Sequence, residues 1–384
     1  MTTFSTMRRH LVAGGLALCC ALSMGTIAQA QEPTLLRMNM FPSTQDPYWP
    51  LWEQFARDIE NESNGTLRVE LHPAEALGTA TNMIEAISRG APILQDSDPS
   101  HVFNYVPDFA IFTAPYVIKK PEDIEKAWNS DFVAELEKEL QAKGLRFVTM
   151  SYFGTRNILT NKQIFTRADT AGLKMRNAPT RMWNEVTKVL GGNPTTTAWT
   201  ETYSALEQGV ADTVEAPLGL LYSSGLTEVR PYISLTEHVL VTSSIIMSQQ
   251  VYESLPEDAQ KALDKVGRAY PSARLEGALA IESDYRKLLE DKGIVFNEVD
   301  KSGFIEAAAS ISDAFPEWSE GLYDRMIEAI EKPSATPPSA PGGGHSSCEE
   351  NPMLASFKWL IRNGEALISA TAFAVMVLAI SFNV

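Results

Sequence analysis

The chain has 384 residues, of which 44% are hydrophobic and 21% charged, with a formal net charge of −16. That length allows two lobes at about 100–200 residues per domain, and the composition excludes wholesale disorder. The acidic balance argues against nucleic acid as a partner, since phosphate binding needs a basic face. It leaves room for an anionic small ligand in a locally positive cleft.

The N-terminus reads as a secretory signal peptide over residues 1–30. Arg8, Arg9 and His10 precede an apolar run from Leu11 to Met24, and Ala28-Gln29-Ala30 offers small residues at a cleavage site. A lipoprotein reading at Cys19 is weaker, because Leu18 is large where a small residue is expected. Cys19 and Cys20 leave with the signal, so Cys348 alone remains and no internal disulfide is expected.

Thr34 to Met40 reads as a first buried strand. A turn over Pro42 to Pro47 leads to a helix carrying Leu51, Trp52, Phe55 and Ile59 at helical spacing. Asn64-Gly65 turns the chain into a strand from Leu67 to Leu71. A second helix, capped by Thr79 or Thr81, ends at Gly90. Pro92 to Leu94 is a third strand, running into Asp96 to Ser100. Strands alternating with helices predict a parallel sheet with helices on its faces. Ligands of such sheets bind outside the carboxyl ends of the strands. That rule nominates two turns, Ser43 to Tyr48 with Gln45, and Asp96 to Ser100 with Asp98.

Helices are expected over Ser100 to Val106 and Pro121 to Ala142. Strands are expected over Leu145 to Met150 and Asn157 to Thr160, with Arg156 at their junction. Leu173 to Met175 is a short apolar strand that delivers Arg176 to a strand end. Asn177 and Pro179 stop it, and Pro179 can begin a helix. An arginine there can meet a carboxylate with two parallel N–H···O bonds, which a lysine cannot do. The helix after Arg176 carries Trp183, Val186, Val189 and Leu190 and ends at Gly191-Gly192. Asn193 to Thr197 is extended, Thr200 caps the next helix, and Asp212 to Pro217 is a strand exit. Tyr232 to Met247 reads as extended. Pro256 opens a long helix to about Asp291, with Pro271 inside it as a possible kink. Ile294 to Phe296 is a last strand, and Phe304 to Ile330 a last helix.

Residues 332–353 read as a Pro, Ser and Gly linker. Residues 354–384 form a membrane segment. Ala366 to Val384 carries no charge and is just long enough to cross a bilayer.

Three stretches resemble the solute-binding proteins of TRAP (tripartite ATP-independent periplasmic) transporters. The first is Phe55-Ala56 with Asn64 to Val69 and Pro73 to Gly78. The second is Gly172-Leu173-Lys174-Met175-Arg176. The third runs from Gly191-Gly192-Asn193-Pro194 through Ala198-Trp199-Thr200-Glu201 to Tyr203 to Asp212. The resemblance covers Leu35 to about Ile330. It implies an α/β, two-lobed periplasmic binding protein with a hinge and a long interdomain helix. It also implies a small organic acid as ligand, gripped by Arg176, with Arg156 assisting and Trp199 and Glu215 near the cleft. Delivery to TRAP membrane subunits follows from the same resemblance. Ala216 departs from the family's Gln-Glu-Asn-Pro pattern, and Thr113 to Tyr116 from its Leu-Pro-Phe pattern, so the ligand of other members is not copied here. The tail from Phe357 to Glu365 resembles the start of the small membrane subunit. Lys358 and Arg362 favour a cytoplasmic start for that helix, against the export directed by the signal.

A ligand-sensing or scavenging protein of the same fold, not coupled to transport, is the alternative function. An enzyme is disfavoured. His10, His72, His101, His238 and His345 show no metal-ligand spacing, and there is no G-x-S-x-G elbow. No metal and no cofactor are expected. The expected location is the periplasm, with anchoring by the C-terminal helix as a further possibility.

Overall fold

The computed structural model describes residues 32–332. Two mixed sheets organise them. The first has the order β2-β1-β3-β10-β4. Its strands are β1 (Thr34–Asn39), β2 (Leu67–His72), β3 (Ile93–Ser97), β4 (Leu145–Thr155) and β10 (Leu240–Ser248). The strands β1, β2 and β3 are parallel, with Thr34 opposite Leu67 and Arg37 opposite Ile93. The expected all-parallel sheet stops there. β10 returns from the far side of the chain and pairs antiparallel with both β3 and β4. The second sheet has the order β11-β9-β5-β8-β6-β7. It is built from β5 (Asn157–Thr160), β6 (Lys174–Asn177), β7 (Asn193–Thr196), β8 (Thr213–Ala216), β9 (Tyr232–Leu235) and β11 (Val295–Glu298).

Local chemistry accounts for the elements. In β1, Leu36 and Met38 are buried while Leu35 and Arg37 face out, the period of a strand. Helix α1 (Trp49–Glu62) buries Leu51, Trp52, Phe55 and Ile59, and Asn64 and Gly65, both at positive φ, turn the chain away from it. Helix α2 (Ala80–Ser88) follows, with Thr79 at its N-cap position but no capping bond from the side chain. The stretch after β3 is a 3-10 turn, Pro99–Val102, capped by Asp98. The helix expected over Pro121 to Ala142 is two, α3 (Pro121–Trp128) and α4 (Asp131–Ala142), because the Ser130 hydroxyl accepts from Val133 N at 3.2 Å and starts a new helix.

Helix α5 (Arg181–Val189) begins later than expected. Thr180, not Pro179, caps it, accepting from Trp183 N at 3.2 Å. Thr200 does not cap α6 (Thr202–Glu207) but lies in a 3-10 turn, Trp199–Glu201. Two short helices, α7 (Leu218–Ser223) and α8 (Gln249–Ser254), were not anticipated. The extended stretch from Tyr232 to Met247 is two strands in different sheets, broken where Glu237 takes φ 45°.

Helix α9 (Glu257–Asp291) runs as one element through Pro271. It packs along β4 of the first sheet and against α7, which follows β8 of the second. Gly267 makes that packing possible: a Cβ there would lie 2.0 Å from the Val148 carbonyl oxygen. The last expected helix is α10 (Ser302–Ala308), a 3-10 turn Ile311–Ala314, and α11 (Leu322–Glu331). Pro316 and Gly321, at φ 70°, lie between the last two.

Among the described residues no helix is long and apolar enough to cross a membrane. The expected signal peptide, the linker from residue 333 and the membrane segment lie outside the described residues.

Candidate functional site

The chain passes from the first sheet to the second at Arg156, between β4 and β5, and returns between β9 and β10. The two crossings touch: Arg156 N donates to the Val239 carbonyl at 2.9 Å. Glu215, on the middle of β8, ties both together. Its carboxylate accepts from Arg156 Nε, from Arg156 Nη2 at 2.9 Å, and from His238 Nε2 at 3.1 Å. Arg156 Nη2 also reaches the Glu215 carbonyl at 2.6 Å. Burial pushes the Glu215 carboxyl up, but the Arg156 guanidinium outweighs it and holds the group below the usual carboxylate range. Burial pushes His238 down, so its ring is neutral. An ionised Glu215 only accepts, so the ring proton sits on Nε2. Nδ1 then accepts from the Thr236 hydroxyl at 2.9 Å.

Arg176 lies on β6 and is 3% exposed. Its Nη2 donates to the Thr197 carbonyl at 2.8 Å and its Nε to Thr197 Oγ1 at 3.4 Å. Its guanidinium carbon sits 5.0 Å from the Trp199 ring centroid, and the Trp199 indole N–H is fixed by Ser224 Oγ at 3.2 Å. Burial, then the neighbouring Arg156, pushes Arg176 down to about 10, so it stays a cation at neutral pH. Arg156 has Glu215 as counter-charge, whereas Arg176 makes no ion pair among the described residues. A buried unpaired cation is costly unless an anion completes it.

The facing wall comes from the first sheet. Asp98, just past β3, is saturated: it accepts from Ser100 N at 2.9 Å, Thr113 Oγ1 at 3.1 Å, Trp183 Nε1 at 3.0 Å and His101 Nδ1 at 3.1 Å. Burial opposes its charge, but His101 and the other donors hold it far below the usual range. Burial likewise opposes the charge on His101, and Asp98 overrides it, raising the imidazole. Asp96, Ser97, Glu75, Phe41 and Ser243 complete this wall. The two walls enclose a cavity of about 410 Å³, a size suited to a small solute.

Of the residues nominated from sequence, Arg176, Arg156, Trp199 and Asp98 line this cavity. Glu215 stands behind it, as the partner of Arg156 and not as a lining group. Gln45 is a correction. It is exposed and outside the cavity, because its neighbour Asp46 takes the inward position of that turn, accepting from Tyr48 N at 2.9 Å and Ser223 Oγ at 3.1 Å. Sequence reasoning missed Glu75, Asp96, His101, Trp183 and His238 as site residues. Asp96 stood in a nominated turn, and Trp183 reads as core from its helical spacing. Glu75 carries no local signal.

A family model described as bacterial extracellular solute-binding protein, family 7 (DctP), matches residues 38–317. The chain belongs to that family. A solute-binding protein of Roseobacter denitrificans is 28% identical, over 79% of this chain and 95% of the relative. The C4-dicarboxylate-binding periplasmic protein DctP of Rhodobacter capsulatus is 26% identical, over 83% of this chain and 92% of the relative. Among solved structures, a TRAP periplasmic solute-binding protein of Actinobacillus succinogenes with bound L-galactonate superposes with a TM-score of 0.73 at 27% identity. That match covers 78% of this chain and 99% of the other. The two-sheet architecture is therefore that of the two-lobed TRAP solute-binding proteins, a family of binders and not of enzymes.

Proposed function

We propose that this protein is the extracytoplasmic receptor of a TRAP transporter, and that it captures a small organic acid by pairing the ligand carboxylate with Arg176. One observation carries the reading. Arg176 is a buried cation on the cavity wall, oriented by Thr197 and Trp199, with no carboxylate of its own among the described residues. Arg156 adds positive potential to the same wall but is already committed to Glu215. The ligand carboxylate thus supplies the ion-pair partner that Arg176 lacks among the described residues, and Trp199 supplies an apolar face beside it. Delivery to membrane subunits rests on the family alone.

Thermal unfolding with a panel of small organic acids tests this, because a ligand bound only to the native state raises Tm by mass action. An acid should stabilise the native protein and fail to stabilise Arg176→Ala. Breaking a buried charge pair costs about 3–5 kcal/mol, which is an affinity loss of roughly 100- to 4,000-fold. Equal stabilisation of the variant would remove Arg176 from its role.

A further inference from the structure

A carboxylate on Arg176 leaves the rest of the solute to the other lining groups. Most of the polar ones are already committed inside the protein. Asp98 accepts from Ser100 N, Thr113, Trp183 and His101, and Arg156 is paired with Glu215. The Trp199 indole N–H donates to Ser224 Oγ at 3.2 Å, and Thr197 gives its carbonyl and hydroxyl oxygens to Arg176. Glu75 is engaged by Ala80 N and the Thr200 side chain, and it stands in the field of Arg176 and His101. Glu201 accepts from Ala198 N at 3.2 Å and, like Thr79 and Thr81, is exposed to solvent.

Two buried polar atoms of the wall remain. Asp96 Oδ2 and the Ser97 hydroxyl have no hydrogen-bond partner among the described residues, while Asp96 Oδ1 accepts from Ser243 Oγ at 2.7 Å. They can answer one or two polar substituents, or water. A polyhydroxy chain enclosed here would leave most of its hydroxyls without partners, each a loss of roughly 10-fold in affinity. A second carboxylate fares no better. Arg156 already has its counter-charge, and Asp98 and Glu75 face into the same cavity.

The apolar lining, by contrast, is free to take a solute. Phe153 on β4 and Val241 on β10 lie on neighbouring strands, with Val241 opposite Gly154. Phe41 from the turn after β1 and Leu220 from α7 join them at the cavity. Phe41 and Phe153 meet edge to face, their ring centroids 5.5 Å apart at 64°. Tyr48, outside the lining, stacks on Phe153 at 4.4 Å and holds that ring in place. These four side chains come from the first sheet and α7, whereas Arg176 comes from the second sheet. An acid that uses both touches both walls.

Resting on the reading of Arg176 as the carboxylate anchor, we propose that Phe41, Phe153, Leu220 and Val241 form a slot for an apolar ligand body, so that the solute is a hydrophobic monocarboxylate, an aryl or alkyl acid, and neither a sugar acid nor a dicarboxylate. One cation fixes the orientation of such a solute. Burial of its apolar surface supplies the remaining affinity without asking for hydrogen bonds that the wall has already made.

Calorimetric titration of the purified full chain tests the proposal. The hydrophobic probes are benzoate, phenylacetate, cyclohexanecarboxylate and hexanoate, and the hydrophilic ones L-galactonate, gluconate and succinate. The best hydrophobic acid should bind about 10-fold or more tightly than every hydrophilic one. Val241→Thr keeps the shape of the slot and places a hydroxyl in it. It should weaken the best hydrophobic acid by about 5- to 50-fold and leave L-galactonate no weaker. Phe41→Ala removes one ring of the edge-to-face pair from a half-buried position and should weaken that acid by about 10- to 100-fold. Thermal unfolding without ligand checks that both variants fold. L-Galactonate, gluconate or succinate binding as tightly as the best hydrophobic acid overturns the slot and leaves the carboxylate anchor standing. So does unchanged affinity for that acid in both variants. If no acid binds, or if the acids bind the parent and Arg176→Ala alike, the anchor falls and this inference falls with it.

Discussion

The Trp183 indole N–H donates to Asp98 Oδ2 at 3.0 Å, joining α5 beside the second sheet to the turn that leaves β3 of the first. A second bridge lies next to it, between Ser100 Oγ and Thr180 Oγ1 at 3.1 Å. Both cross the cavity rim, so the two walls are held together by the protein's own hydrogen bonds. The Trp183 ring also carries the Arg156 guanidinium 4.3 Å from its centroid.

Trp183→Phe keeps a ring under Arg156 and removes the N–H. The buried Asp98 then loses a donor, at a cost of about 1–3 kcal/mol. The bond joins the two walls, so the cost falls on the arrangement in which they touch, and the population of that arrangement relative to one with the walls apart drops. The expected outcome is a larger radius of gyration without ligand, an unchanged one at saturation, and affinity weaker by roughly 5- to 150-fold. Small-angle scattering and a titration check it. An unchanged ligand-free radius would mean that this bond does not govern closure.

Glu215→Gln leaves Arg156 buried beside a neutral amide. The Arg156 charge loses its ion-pair partner, and His238 loses the carboxylate that fixes its tautomer. Breaking a buried pair costs about 3–5 kcal/mol. At about 2 cal/mol/K of unfolding entropy per residue, this lowers Tm by roughly 5–8 °C. The fall should appear without ligand, since Glu215 ties the two crossings together whether or not the cavity is filled. A loss of affinity at unchanged Tm would place Glu215 in ligand binding instead.

Much of this was legible in the chain. Arg176 follows a short apolar strand and is stopped by Asn177 and Pro179, so its place at a strand end is written locally. The pairing of Arg156 with Glu215 spans 59 positions and is not. Sequence placed both near the ligand, but only the register of β5 against β8 brings them together. The turn at Ser43 to Tyr48 was found, but not its inward face. Asp46 turns in because the Tyr48 N–H and Ser223 hydroxyl await it, and Ser223 is 177 residues away. The split of the stretch from Tyr232 to Met247 was hidden because Glu237 and His238 alone mark the change of sheet, with β-branched Thr236 and Val239 on either side of them.

Gly154 permits the first crossing. Its φ is 136°, and a Cβ there would lie 2.7 Å from Pro217 Cβ and 2.9 Å from both Glu282 Oε1 and the Tyr48 hydroxyl. Gly154→Ala therefore combines backbone strain of about 1–3 kcal/mol with displacement of Glu282, whose carboxylate accepts from Thr155 N at 3.1 Å. Denaturant unfolding should show a lower midpoint at unchanged slope. A stability equal to the parent would show that the crossing adapts freely.

Asp46 gives a prediction in pH. The residue is 2% exposed, and burial pushes its carboxyl up to about 6 against an ordinary value of 3.8, while Tyr48 N, Ser223 and the Arg274 cation partly offset that rise. The folded chain thus holds this proton more tightly than the unfolded chain does. Between the two values the native state binds more protons, so this group's contribution to stability falls as pH rises from about 4 to about 6 and is level above. The full difference, some two pKa units, is worth at most about 3 kcal/mol. An asparagine at this position accepts from Tyr48 N and donates to the Ser223 hydroxyl without carrying charge. Asp46→Asn should match the parent at pH 4 and exceed it by about 1–3 kcal/mol at pH 8. Other carboxyls titrating in the same window cancel in the difference between the two proteins. Urea unfolding at pH 4, 6 and 8 measures it. A difference constant across pH would mean that the Asp46 carboxyl titrates in the native state as it does in the unfolded chain.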